Sequence, residues 1–143
     1  MSSIPDLQAA LVAEFQALSA WEERYTRIIA MAKALTPMDE AWKVDANKVR
    51  GCSSTVWLHA TLDGDRVTYH ADSDAVLVRG LVALLLHVYS GRTPAEILAA
   101  PPTFIERMGL NQNLSPNRAS GLTAMVKQIM IYAMAFQAKL RRG

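Results

Sequence analysis

The chain has 143 residues, 51% of them hydrophobic and 20% charged, with a formal net charge of +2. A chain of that length buries roughly 70% of the surface its unfolded form exposes, so one domain over residues 1–143 is expected without disulfide or metal staples, and intrinsic disorder is excluded. The small charge does not point to nucleic acid, no run of about 18 apolar residues predicts a membrane span, and the opening Met-Ser-Ser-Ile-Pro-Asp lacks the basic and apolar regions of a secretory signal.

Leu7, Leu11, Phe15 and Leu18 recur at helical spacing and predict an amphipathic helix over residues 6–18. A second helix is predicted from Ser19, with Glu22 completing a capping box and Trp21, Tyr25, Ile28, Ile29, Ala32 and Leu35 as its apolar stripe. Pro37 stops it. Residues 38–51 lose this period and read as a loop with at most a short strand. Ser53 to Leu62 is rich in β-branched and aromatic residues, Asp63-Gly64 is a two-residue hairpin signal, and Arg66 to Ala71 reads as the returning strand. Alternation places Val56, Leu58, Ala60 and Leu62 on one face, with Trp57 and His59 on the other. With Asp63-Gly64 as the loop, Leu62 faces Asp65, His59 faces Thr68 and His70 faces Trp57, which makes the two histidines diagonal neighbours.

Asp72-Ser73-Asp74 is expected to cap a third helix, whose buried side is Val76, Leu77, Leu81, Leu84, Leu85 and Val88 and which Gly91 closes. Thr93-Pro94-Ala95-Glu96 has the cap, first-turn proline and capping-box acid of a new helix start. Pro101-Pro102 breaks that helix, and Thr103 to Met108 forms another short one ending near Gly109. Ser115-Pro116 opens the last helix, with a stripe of Leu122, Met125, Val126, Ile129, Ala133, Phe136 and Leu140. The order of helices, hairpin and helices predicts an α+β fold, with helices packed on one face of a small antiparallel sheet.

The chain has one cysteine, Cys52. A lone thiol makes no internal disulfide, and it cannot alone supply a thiolate-rich zinc site or an iron–sulfur cluster. A reducing, cytoplasmic setting fits it. Gly51 beside it leaves room for another molecule to approach. Lys48 and Arg50 can stabilise a thiolate, and Ser53, Ser54 and Thr55 offer hydroxyl donors to a charged sulfur. The competing reading is a thiol that packs as a small hydrophobe.

His59, His70 and His87 are not spaced as metal ligands, so no metal site is predicted. A Cys–His dyad would need one of them beside Cys52. Asp72 and Asp74 could do acid–base work, although helix capping explains both. Arg118 in the first turn of the last helix mildly opposes the helix dipole. It is either an ordinary surface arginine or a contact for an anionic sulfur or substrate. Trp21, Trp42 and Trp57 read as core, and no Gly-rich phosphate loop is present. From Arg107 onward there are six basic residues and no acidic one, leaving the rest of the chain at −4. These cations complement helix C-termini or form a face for an acidic partner.

Four segments together carry a resemblance. Val49-Arg50-Gly51-Cys52-Ser53-Ser54-Thr55-Val56-Trp57 resembles the Gly-Cys-Gln-Ser-x-Val-Trp segment of the SufE proteins. Asp72-Ser73-Asp74-Ala75-Val76-Leu77-Val78-Arg79-Gly80-Leu81 is similar to their Asp-Ser-Asp…Val-Lys/Arg-Gly-Leu segment. Leu114-Ser115-Pro116-Asn117-Arg118-Ala119-Ser120-Gly121-Leu122 is similar to Leu-Ser/Thr-Pro-x-Arg-x-x-Gly-Leu, and Trp21-Glu22-Glu23-Arg24-Tyr25 to an early Trp-Glu-Glu-(Lys/Arg)-Tyr. They fall in family order over nearly the whole chain.

The resemblance implies a fold shared with IscU-type scaffolds and a role as sulfur acceptor for a pyridoxal-phosphate cysteine desulfurase, SufS-like or CsdA-like. It implies that Cys52 takes a persulfide sulfur, that the desulfurase is stimulated, and that the sulfur passes to an iron–sulfur scaffold. Gly51, Ser53, Asp74 and Arg118 become loop or partner-binding residues. Ser53 stands where the family commonly has Gln. No cofactor, metal, nucleic acid or membrane is implied for this chain, and a homodimer is left open. The competing functions are a cysteine-dependent hydrolase or transferase acting on a small substrate, and an interaction domain in which Cys52 only packs.

Overall fold

The structure is a computed structural model that describes residues 2–142. Helix α1 (Ile4–Gln16) begins earlier than predicted, because Ser3 caps it. The Ser3 Oγ accepts the Asp6 N–H at 3.2 Å and the Asp6 carboxylate accepts the Ser3 N–H at 3.4 Å. Helix α2 (Trp21–Lys33) lacks the expected box: Ala20 caps it without a side-chain bond, and the Ser19 hydroxyl bonds Glu23 instead. Two 3-10 turns follow, Glu40–Trp42 and Asp45–Asn47. The chain then runs beside the sheet, where the Val49 N–H donates to the Val56 carbonyl at 2.8 Å.

Strands β1 (Val56–Asp63) and β2 (Arg66–Ser73) form the antiparallel hairpin. The turn is Gly64-Asp65 rather than Asp63-Gly64. Gly64 has φ +62° and no non-glycine residue has positive φ, so the glycine takes the first central position, which a turn of this kind reserves for it. Asp63 therefore pairs with Arg66, and His59 faces His70 directly. The facing assignment is as read from alternation: Val56, Leu58, Ala60, Val67, Tyr69 and Ala71 are buried.

Helix α3 (Val76–Tyr89) lies under that inner face, with Leu81, Leu84, Leu85 and Val88 fully buried. Asp72 and Asp74 do not cap it; Ala75 occupies the cap without a side-chain bond. Val76 is 57% exposed, because the buried arc starts at Val78. Helix α4 (Pro94–Leu98) has the predicted Thr93–Glu96 capping box. Helix α5 (Thr103–Arg107) ends near Gly109, whose φ of +73° starts an unpredicted turn of helix, α6 (Leu110–Asn113).

Helix α7 (Pro116–Arg142) buries Leu122, Met125, Ile129 and Ala133 against the same core. Each of the three larger side chains contributes about 2 kcal/mol of burial. By length and composition alone α7 could cross a membrane, but this stripe is a wall of the core. Its last turns outrun the core and leave Leu140 exposed. Trp21 packs against the core, but Trp42 and Trp57 do not. They lie on the outer face of the hairpin, where Trp42 packs on His59 and His70 at ring separations of 4.7 and 4.4 Å.

Candidate functional site

Cys52 sits in the loop between the bridging segment 48–49 and β1. The loop is clamped at its base and loose at its tip. At the base, Val49 bonds Val56, the Thr55 N–H donates to Asp74 Oδ1 at 3.2 Å, and the Ser73 hydroxyl donates to the Thr55 carbonyl at 2.8 Å. From Arg50 to Ser54 the one hydrogen bond among the described residues is a long contact, Cys52 Sγ to the Gly121 carbonyl at 3.5 Å. Gly51 takes φ +96°, and a Cβ there would stand 3.3 Å from the Ala124 Cβ of α7. Glycine thus serves both the backbone shape and the close approach.

The thiol is half-buried. It points into a small space of about 10 Å³ lined by Ser53, Ser54, Val78, Leu81, Asn117, Arg118, Gly121 and Met125. That is about the least volume that holds one water. Burial pushes the Cys52 thiol up, so the neutral form is favoured in this position. Gly121 lets α7 lie close over the sulfur: a Cβ there would lie 3.4 Å from Sγ, in ordinary contact, with no space left for a larger side chain. Of the wall residues the sequence reading passed over, it has a signal of its own, because glycine inside a helix costs about 1 kcal/mol and so asks for a packing reason. Asn117, Val78 and Met125 carry no such signal.

The structure brings Arg118 to the thiol's space, in the first turn of α7, where Ser115 caps through the Arg118 N–H at 3.3 Å. Asp74 does not reach the sulfur; it anchors the loop base. Asp72 lies elsewhere, bonded to Lys43 at 3.0 Å and Arg79 at 2.9 Å. Burial raises its pKa, but Lys43, the Ser73 N–H and Arg79 outweigh that and hold it below the ordinary carboxylate value. No histidine lines the space around Cys52. His59 and His70 are taken up under Trp42, and the His70 ring bonds the Thr61 hydroxyl at 3.0 Å. Among the described residues no three His, Cys, Asp or Glu side chains gather to hold a metal ion. Beside the loop a cleft of about 310 Å³ is lined by Lys48, Arg50 and Lys127 together with Ile131 and Tyr132.

The geometry presents a half-buried thiol on a loop tip held by one long contact, and comparison with known proteins adds a lineage. The family profile described as "SufE: Fe-S metabolism associated domain" matches residues 9–133. An uncharacterized SufE-like protein of Synechocystis is 43% identical over 95% of this chain and 86% of its own. A SufE-like protein 1, chloroplastic/mitochondrial, of Arabidopsis thaliana is 40% identical over 97% of this chain, which spans 38% of that relative's length. A solution structure of a hypothetical protein from Thermus thermophilus shares the fold, with a TM-score of 0.77 over 92% of this chain and 96% of that one at 22% identity. The chain belongs to the SufE family, whose domain is associated with iron–sulfur metabolism.

Proposed function

We propose that the protein is a sulfur acceptor and carrier that takes a persulfide sulfur from a pyridoxal-phosphate cysteine desulfurase of the SufS or CsdA kind onto Cys52. It stimulates that enzyme and hands the sulfur on to iron–sulfur cluster assembly, in a reducing compartment such as the cytoplasm. The observation that carries this reading is the chain's only thiol, half-buried at the tip of a loop whose base is clamped and whose tip is held by one long contact.

The chemistry is displacement at sulfur. The desulfurase holds the outer sulfur on its own cysteine as a persulfide. Cys52 loses its proton to solvent and its thiolate attacks that outer sulfur. A new S–S bond forms on Cys52, the old S–S bond breaks, and the desulfurase cysteine leaves as its thiolate. No metal or triad is needed for this step. A second cysteine in the chain would discharge the sulfur by closing a disulfide.

In the pocket the thiol is neutral and sheltered. Swung out, it loses the desolvation that raises its pKa and becomes the better nucleophile. Back in the pocket, the terminal sulfur would lie among Gly121, Met125, Leu81 and the first turn of α7. That helix N-terminus and Arg118 favour an anionic sulfur. The cationic cleft beside the loop suits an acidic partner surface. The hydrolase reading lacks a general base, since no histidine lines the thiol's space.

The test is desulfurase turnover with and without this protein. Wild type should raise the rate of alanine formation from cysteine, and Cys52→Ser, folded by circular dichroism, should not. Equal stimulation by both proteins refutes the reading.

A further inference from the structure

Segment 46–50 and α7 enclose the cleft of about 310 Å³ beside the thiol loop. It lies further along α7 than the space around Cys52 and shares no lining residue with it. Its walls are held before anything binds. The Val49 N–H donates to the Val56 carbonyl at 2.8 Å, and the Asn47 amide donates to the Trp42 carbonyl at 2.8 Å. On the other side the Tyr132 hydroxyl donates to the carbonyl of Leu58, which is buried in the floor, at 3.3 Å. An occupant need not order a recess that is fixed in this way.

The lining is cationic, and its charge is open to solvent. Lys48, Arg50 and Lys127 are all exposed. Lys48 pairs with Asp45 at 3.0 Å, but both side chains stand in water, which screens the pair. Arg50 and Lys127 enter no ion pair among the described residues. No carboxylate lines the cleft, and α7 carries none along its length. One part of the lining is apolar. Ile131 is 40% exposed and stands four residues on from Lys127, so cation and apolar side chain share a helix face.

We propose that this cleft docks an acidic segment of a protein partner, one with an apolar side chain beside its carboxylates. Arg50 and Lys127, from opposite walls, take the carboxylates, and the apolar side chain covers Ile131 and Tyr132. A small inorganic anion would satisfy the cations and leave Ile131 wet. Charge complementarity of this kind speeds encounter and fixes orientation. The inference rests on the carrier reading and deepens it, since a carrier's partner must be held beside the loop. Arg50 is two residues from Cys52, so the segment is gripped at the foot of the loop while the space around the thiol stays free.

The experiment is selection of a random heptapeptide phage library on the immobilised full-length protein, counter-selected on Lys127→Glu. Enriched peptides should carry at least two acidic residues and an apolar one, and should shift the Gln128 and Ile131 amides in NMR. They should bind at least about tenfold more weakly to Lys127→Glu and to Arg50→Glu, each folded by circular dichroism, and within about twofold of wild type to Arg107→Glu, the same charge change outside the cleft. Failure to enrich acidic peptides, or unmoved Gln128 and Ile131 amides, overturns the proposal. An equal loss in Arg107→Glu overturns it in favour of attraction to net charge alone, and full affinity in Ile131→Ser overturns it in favour of a simple anion site. Neither desulfurase nor sulfur enters this measurement. A protein that binds the peptides but accepts no sulfur sinks the carrier reading alone; one that accepts sulfur but selects no acidic peptide sinks this inference alone.

Discussion

Burial raises the pKa of Cys52 and favours the neutral thiol where it rests, and α7 covers it. The residue that controls this cover is Gly121. A methyl there would make ordinary contact with Sγ at 3.4 Å, so Gly121→Ala should be accommodated and gain up to about 1 kcal/mol of helix propensity. Gly121→Leu leaves no room and should expel the loop. The expected outcome is faster alkylation of Cys52 by iodoacetamide at neutral pH, with little change in melting temperature. An unchanged rate would mean that the loop already exchanges freely and that α7 shelters nothing. Cys52 was legible in the sequence because it is the only thiol and has glycine, cations and hydroxyls beside it. Its wall was legible in part: Arg118 stood out as a cation in the first turn of the last helix, and Ser53 as a neighbouring hydroxyl, and both line the thiol's space. Asn117, Val78 and Met125 are far from Cys52 in sequence and meet it through the packing of α3 and α7 on the loop, which no local pattern encodes.

At the level of elements, caps and stripes gave most boundaries, and the departures have local causes. Ser19 lost its capping role because the helix starts later, at Trp21. The hairpin turn moved one residue because only Gly64 adopts positive φ. That shift carried each partner two residues along the same face, so the buried set survived while His59 came opposite His70. The strap over them, with Trp42, was unreadable because 3-10 turns have no hydrophobic period.

Burial, and secondarily His59, lowers the pKa of His70 below its ordinary value. The folded state therefore prefers neutral His70. Its contribution to stability is present above the ordinary histidine pKa and is lost as pH falls through it toward the lowered folded value. Urea midpoints should fall between about pH 7 and pH 5, and His70→Phe should fall less. Equal falls would show that this ring does not sense pH. The α2–α3 contact gives a sharper test. A Cβ at Gly80 would stand 2.3 Å from the Ile28 carbonyl oxygen, a main-chain atom that cannot yield cheaply. Gly80→Ala should cost about 3 kcal/mol, read as a lower denaturant midpoint; a loss within about 0.5 kcal/mol, the size of a surface substitution, would mean the helices part freely.

For the whole molecule, the sheet divides the labour. One edge leads through residues 48–49 into the thiol loop, and residues 90–92 bond the start of the other. Helices α3 and α7 hold the hairpin from its inner face, and α7 also walls the thiol, so the core and the site share one element. On the proposed function, one sulfur in and one sulfur out is all that is asked of this chain. The most direct measurement is the intact mass of the protein after incubation with a cysteine desulfurase and cysteine. Wild type should gain one sulfur, about 32 Da, removable by reductant and located on Cys52, and Cys52→Ser should gain none. An unmodified wild type beside an actively turning-over desulfurase would contradict the account.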